Sequence, residues 1–236
     1  MRIDKYLADC GIGTRKEIKE YIKNGRVVCN DTTIKSSSEH INEASDVVLF
    51  DGEKLLYRRF IYLMLNKPSG VISATEDKKL TTVIDLVPQK YTHFDVFPVG
   101  RLDIDTTGLL ILTNDGALAH RLTSPKHHAP KTYYATIDGI VTNDDVEVFL
   151  NGVCIDDGYV CKSAELKILK SEDISEILLT IYEGKFHQVK RMFEAVGKKV
   201  LTLKRILMGG VELDETLDEG EMRPLSDDEI EKLKNI

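Results

Sequence analysis

The chain has 236 residues, with 32 basic and 39 acidic side chains and a formal net charge of −7. That length accommodates one large domain or two small ones, and a content of 42% hydrophobic and 30% charged residues excludes wholesale disorder and a fibrous repeat. As a whole-chain average, the acidic excess argues against nucleic acid as a partner, because phosphate-binding surfaces are basic.

No apolar run approaches the roughly 20 residues that a membrane-spanning helix needs. The start, Met1-Arg2-Ile3-Asp4-Lys5, has no apolar region behind it and does not resemble a secretory signal. Cys10, Cys29, Cys154 and Cys161 form no CxxC pair, so free thiols are expected. No cysteine lies near a His pair at ligand spacing, and His127-His128 has no evident third ligand, so no metal is expected. These features point to a cytoplasmic protein without a membrane partner.

In chain order, Ile3, Tyr6, Leu7 and Cys10 follow the i, i+3, i+4, i+7 spacing of an amphipathic helix, which Gly11-Ile12-Gly13 breaks. Thr14 with Glu17 three residues on reads as a capping box opening a second helix, with Ile18, Tyr21 and Ile22 as its apolar stripe. Gly25 stands where a glycine should stop it. Val27-Val28 and Val47-Val48-Leu49 read as short strands. Arg2, Lys5, Arg15, Lys16, Lys19, Lys23 and Arg26 crowd into the first 26 residues against four acids. Such a cluster is either a solvated helix face or a phosphate-binding surface, and its concentration on two short helices favours the latter.

The ordered set Arg2-x-Asp4-x-x-Leu7, Gly13-Thr14-Arg15 and Gly25-x-Val27-x-x-Asn30 resembles an S4-type RNA-binding domain. The resemblance implies that a helix pair presents Arg2, Lys5, Arg15, Lys16, Lys19 and Arg26 to structured RNA. On this reading residues 1–52 form the S4-like domain, 53–60 a linker and 61–236 a second domain.

The second domain opens on a buried strand, Ile61-Tyr62-Leu63-Met64-Leu65, closed by the turn Asn66-Lys67-Pro68-Ser69-Gly70. Further strands are predicted at 108–113, 132–138, 176–182 and 199–204, and helices at 115–122, 143–151, 187–196 and 226–235. Strands with irregularly interspersed helices predict an α+β fold with a mainly antiparallel or mixed sheet flanked by helices. No period of 20–50 residues suggests a solenoid.

Three clusters carry candidate chemistry. In Gly100-Arg101-Leu102-Asp103-Ile104-Asp105-Thr106-Thr107-Gly108-Leu109-Leu110, two carboxylates and an arginine sit in a turn directly before an apolar strand. Turn chemistry alone accounts for Asp and Gly there, but the placement also puts a carboxylate on the rim of the core, where it is partly desolvated. Lys131-Thr132-Tyr133-Tyr134 starts a strand, with Lys131 and Tyr133 on one face. In Glu183-Gly184-Lys185-Phe186-His187-Gln188-Val189-Lys190-Arg191-Met192, two cations in the first turns of a helix oppose its dipole and call for an anionic partner.

Together these clusters resemble the catalytic-aspartate motif and two further motifs of the RsuA-type pseudouridine synthases, the branch that modifies ribosomal RNA. With the S4-like segment, the resemblance covers essentially the whole chain. Tyr62-Leu63-Met64-Leu65-Asn66-Lys67-Pro68, the stretch from His120 to His128, Phe186-His187-Gln188 and Gly220-Glu221-Met222-Arg223-Pro224-Leu225 are more similar to the small-subunit (16S) branch than to the large-subunit (23S) one. The resemblance implies that Asp103, not Asp105, is the nucleophile breaking the glycosidic bond of a target uridine, with no cofactor. It implies a stacking role for Tyr133 and a pairing of Lys190 with Asp103, at a position where the family usually carries arginine. Arg101 is implied to hold the target nucleotide or fill the space left by the flipped base, and Lys131 and Arg191 to contact RNA or order the site. The expected partner is ribosomal RNA, as small-subunit RNA or an assembly intermediate, and the protein is expected to act as a monomer. Alternatives are the same chemistry on large-subunit RNA, or an inactive S4-type ribosome-assembly factor.

The charge divides by region. Residues 214–236 hold nine acids and three bases, and read as a surface tail ending in a helix that Ser226 caps. The remaining residues hold 29 bases and 30 acids, and the first 26 are net +3. The net −7 is thus an average over a basic N-terminus, a near-neutral body and an acidic end.

Overall fold

The computed structural model describes residues 1–55, 57–124 and 126–236. Leu56, in the expected linker, and Pro125, in the stretch from His120 to His128, lie outside the described residues. The chain divides into two compact units, Met1–Ile61 with Pro88–Asp95, and Tyr62–Val87 with Val96–Ile236. No described helix is long and apolar enough to cross a membrane.

In the first unit, helices α1 (Ile3–Asp9) and α2 (Arg15–Lys23) accompany strands β1 (Val27–Cys29), β2 (Thr32–Thr33), β3 (Val48–Phe50) and β4 (Glu53–Lys54). The strands form an antiparallel sheet in the order β2-β1-β3-β4. The expected capping box is present: Thr14 Oγ1 accepts from Glu17 N, and the Glu17 carboxylate accepts from Thr14 N. The apolar stripes of both helices meet Val27 and Val48 in a single core. Residues 88–95, which the sequence leaves in the second domain, hold a short 3₁₀ helix (Gln89–Phe94) that packs with α1.

The second unit comprises β5 (Tyr62–Lys67), β6 (Phe97–Pro98), β7 (Thr107–Thr113), α3 (Gly116–Thr123), β8 (Lys131–Asp138), α4 (Asn143–Asn151), β9 (Glu165–Lys170), β10 (Ile174–Ile181), α5 (Gln188–Ala195), β11 (Lys199–Met208), β12 (Val211–Glu212), β13 (Met222–Pro224) and α6 (Asp227–Lys234). Its nine-stranded sheet runs β13-β5-β7-β11-β8-β10-β9, with β6 on β7 and β12 on β11. All pairings are antiparallel except β7 with β11.

Burial explains the sequence patterns. Every residue of β5, and every residue of β7 after Thr107, is buried. Both faces of these central strands are covered, which is why they read as unbroken apolar runs. β8 and β10 alternate buried and half-buried positions, as strands covered on one face do. β9 escapes the sequence reading because it is an edge strand whose Glu165, Lys167 and Lys170 blunt an exposed flank.

The acidic end is not a surface tail. β13 pairs with β5, matching Met222 to Leu65, and Leu225 and Leu233 enter the core beside Tyr62 and Leu122. Arg223 joins Asp214 at 2.6 Å and Glu229 at 2.8 Å, so two of the acids are neutralised within the fold. Net charge counts residues without regard to pairing, so apolar anchors spaced among acids look like a solvated segment.

The parallel β7–β11 pair decides one glycine. Gly108 (φ +94°) lies opposite Arg205, and a Cβ there would stand 2.3 Å from the Arg205 carbonyl oxygen. Gly108→Ala is expected to lose at least about 2 kcal/mol and to lower Tm by about 5 °C or more. Gly116→Ala, whose Cβ would meet nothing within 4 Å, is expected to leave Tm unchanged or slightly raised. Thermal denaturation of both variants checks the contrast, and equal Tm values would remove the close approach as an explanation.

Candidate active site

The site grows from the loop between Lys67 and β7. Lys67 ends β5 opposite Gly108 and has no solvent exposure. Its Nζ donates to the carbonyls of Pro68 (3.0 Å), Ile104 (3.3 Å) and Thr106 (3.0 Å). Gly70 N donates to the Ile104 carbonyl at 2.8 Å. Ser73 Oγ donates to the Leu102 carbonyl and accepts from Leu102 N, both at 3.0 Å, and Thr106 N donates to the Asp103 carbonyl at 3.1 Å. The backbone from Leu102 to Thr106 is therefore held on both sides of Asp103.

This loop forms one wall of a cavity of about 360 Å³. Arg101, Asp103, Lys131, Tyr133, Phe186, His187, Lys190 and Arg205 line it. Asp103 is half-buried, and the side chain of Asp105 is mostly exposed. Lys190 Nζ lies 3.6 Å from Asp103 Oδ2 but 2.7 and 2.8 Å from the two oxygens of Asp105. Its hydrogen bond holds the Asp105 carboxyl below the usual carboxylate range. His187 Nε2 lies 3.7 Å from Asp103 Oδ1. The expected Lys190–Asp103 pair is thus a shared one, weighted toward Asp105. A three-donor ammonium serves two carboxylates where a planar guanidinium would commit its fork to one.

The floor belongs to β8 and β11. Tyr133 is buried and lies directly opposite Arg205 across the strand pair. Arg205 Nε donates to the Leu109 carbonyl at 2.8 Å, and Nη2 has no hydrogen-bond partner among the described residues. Lys131 is also buried, with Nζ donating to the Ala129 carbonyl at 2.9 Å. That bond fixes the Lys131 ammonium within the cavity floor.

The other wall is the turn entering α5. The Glu183 carboxylate is buried and accepts from Gln188 Nε2 (2.9 Å), Lys162 N (3.0 Å) and Tyr159 Oη (2.7 Å). Gln188 Oε1 accepts from Lys185 N at 2.9 Å. Arg191 does not line the cavity. Its guanidinium is held by Asp156 at 2.5 Å and Asp157 at 2.7 Å and donates to the Phe186 carbonyl at 3.4 Å, so it braces the turn from outside. One helical step from Lys190 turns it to a different side of α5. Arg101 lines the rim and is exposed, without an ion pair among the described residues.

In the first unit the basic residues divide. Arg2 pairs with Asp4 (2.7 Å), Lys5 with Asp9 (2.8 Å) and Arg26 with Asp51 (2.5 Å). Arg26 also lies over the Tyr21 and Phe50 rings at 4.4 and 4.6 Å. Arg15, Lys16 and Lys19 are exposed and make no ion pair among the described residues. They are the members of the expected RNA face whose charge is uncommitted.

Residues 61–195 match the RNA pseudouridylate synthase family model, and residues 1–48 match that of the S4 domain. The chain belongs to the RNA pseudouridylate synthase family. It is similar to an uncharacterized RNA pseudouridine synthase, YtzG, of Bacillus subtilis (strain 168), with 47% identity covering 99% of this chain and 98% of that one. It is 40% identical to ribosomal small subunit pseudouridine synthase A of Vibrio cholerae, over 98% of each chain. A crystal structure of a pseudouridylate synthase superposes with a TM-score of 0.69, at 40% identity and 99% coverage of both chains. The resemblance seen in the motifs is therefore borne out, as is the expected S4-plus-synthase architecture. The protein is an RNA pseudouridine synthase, an isomerase.

Lys67 and Glu183 lie within motifs that the sequence singles out but are given no role there, and Arg205 lies in none of them. Besides its place in the Tyr62–Pro68 motif, the signal for Lys67 is that a charged residue continues an apolar strand into a Pro-Ser-Gly turn. Burial lowers the Lys67 ammonium from its ordinary 10.5 to about 8, and Lys131 likewise. In the unfolded chain both stay charged to about 10.5, so their burial costs stability at neutral pH, and that cost is relieved as pH rises from 8 to 10.5. Activity is expected to run the other way. A neutral Lys67 has one donor fewer for three carbonyls, so the synthase rate should fall on the alkaline side with a midpoint near 8. Initial rates across about pH 6–10 check this, and a rate flat to about pH 9.5 would show that neither ammonium is needed.

Proposed function

We propose that this synthase isomerises a uridine of small-subunit (16S) ribosomal RNA to pseudouridine, with Asp103 as the nucleophile. The observation that carries the mechanism is a half-buried carboxylate on a braced loop, facing a cavity with a tyrosine in its floor and a cation 3.6 Å away. The choice of RNA rests on the small-subunit synthases to which the chain is 40% identical over nearly its whole length.

The target uridine must leave its stack to enter the cavity, at a cost of a few kcal/mol. Stacking on Tyr133 returns roughly 1–3 kcal/mol of this. Asp103 attacks C1′ of the ribose, and the electron pair of the C1′–N1 bond leaves on the uracil. The detached base rotates in the cavity, and its C5 attacks C1′, displacing the carboxylate. That displacement regenerates ionised Asp103; the C5 proton is then lost to solvent and N1 takes up a proton, which restores the conjugated ring of neutral pseudouridine. Lys190, held by Asp105, keeps a positive charge beside the nucleophile throughout, and Arg101 at the rim contacts the flipped nucleotide. Arg15, Lys16 and Lys19 supply phosphate contacts from the S4 unit.

Small-subunit RNA carrying tritium at uracil C5 tests this. The wild type is expected to release label from that RNA, free or in partly assembled subunits, and not from large-subunit RNA. Asp103→Asn is expected to abolish release while RNA binding persists. Release from large-subunit RNA alone would overturn the target, and substantial activity in Asp103→Asn would overturn the nucleophile. Replacing Lys16 and Lys19 together by Gln is expected to flatten the log–log salt dependence of RNA binding by about 1–2 units. An unchanged slope would make these lysines a solvated face.

A further inference from the structure

Phe186 is 72% exposed, more than any other large hydrophobic residue among those described. It stands at the cavity wall rather than on an unrelated surface. One face of its ring is stacked on His187, with centroids 3.7 Å apart and planes 19° from parallel. His187 in turn reaches to 3.7 Å from Asp103. The ring pair is set by the backbone, because His187 adopts a left-handed conformation (φ +49°), an uncommon one for a residue with a side chain. Backbone outliers of this kind persist where the surroundings hold them and concentrate at binding and catalytic sites.

The surroundings are rigid. Lys185 N is tied to Gln188, Gln188 to buried Glu183, and the Phe186 carbonyl to Arg191, itself clamped by Asp156 and Asp157. An aromatic ring fixed in this way gives up little conformational entropy when a flat partner lands on it. Nothing in the turn needs a phenyl group for its own packing, since the residues buried against the sheet are Gln188, Val189, Met192 and Phe193. Tyr133, by contrast, is buried in the floor, where a base must enter fully to reach it.

We propose that the open face of Phe186 stacks on a nucleobase next to the target uridine, holding the RNA strand at the mouth while the uridine is inside. Two aromatic rings then act at two depths: Tyr133 takes the flipped base, and Phe186 takes the neighbour that the flip leaves with an exposed face. Every base has such a face, so the contact tolerates sequence and contributes to binding before the chemical step. This inference rests on the function proposed above.

The test uses the full chain and a synthetic RNA carrying the uridine mapped by label release. Phe186→Ala is expected to raise KM by on the order of tenfold or more, with kcat changed by less than about twofold. Phe186→Trp should restore KM, and Phe186→Leu, which keeps apolar bulk without a π-face, should not. With an RNA made abasic at the stacked neighbour, the wild type should show the raised KM and Phe186→Ala no further loss. A merely structural role for Phe186 would give the same loss on both RNAs, and that result overturns the proposal. An active wild type with an unchanged KM in Phe186→Ala overturns it alone, leaving the function intact. A wild type that releases no label from any ribosomal RNA overturns the functional reading and this proposal with it.

Discussion

The ammonium group of Lys67 lies without solvent exposure beneath the loop of Asp103 and Asp105, and its three donors go to carbonyls of Pro68, Ile104 and Thr106. Water would otherwise have to satisfy those carbonyls, and a loop bonded to water rather than to protein would be freer to move. Burying a charge is costly, and here the cost shows as a lysine whose pKa has fallen to about 8. The backbone that this one side chain fixes carries both Asp103, which reaches the cavity, and Asp105, and Lys190 of α5 meets the two carboxylates there.

Features governed by local rules were legible in the sequence. The capping box at Thr14, the cap at Ser226, the unbroken apolar strands β5 and β7, and the alternating strand β8 follow from periodicity and hydrogen-bond chemistry within a few residues. What was not legible depends on distant partners. Lys67 reads as a solvated turn residue until the loop folds over it. The acidic end reads as a tail until β13 finds β5. Motif matching places Lys190 near the aspartates, but a choice between two carboxylates two residues apart turns on fractions of a nanometre that no spacing rule encodes.

The whole-chain charge is a poor guide to the partner because the groups that matter are few and placed. Around the cavity, Lys67, Lys131 and Arg205 are buried cations and Lys190 a partly exposed one, within a chain of net −7. A low-dielectric wall lets such charges act on a bound anion far more strongly than surface acids act through water. On the S4 unit, internal pairing takes up Arg2, Lys5 and Arg26 and leaves α2 as the face with uncommitted charge.

The parallel pairing of β7 with β11 also bears on when the site can exist. The strand that follows Asp103 is flanked by β5, which precedes it, and by β11, which is made after three intervening strands and three helices. Arg205, whose Nε bonds the Leu109 carbonyl, and Lys190, which bonds Asp105, both come from this late part of the chain. The edge of β5 stays open later still, until residues 222–224 arrive. A growing chain therefore carries Asp103 from residue 103 until β11 begins at residue 199 before the cavity can close around it. A chain cut short before β11 retains the motif but not the site, because Leu203, Arg205 and Met208 of that strand line the cavity.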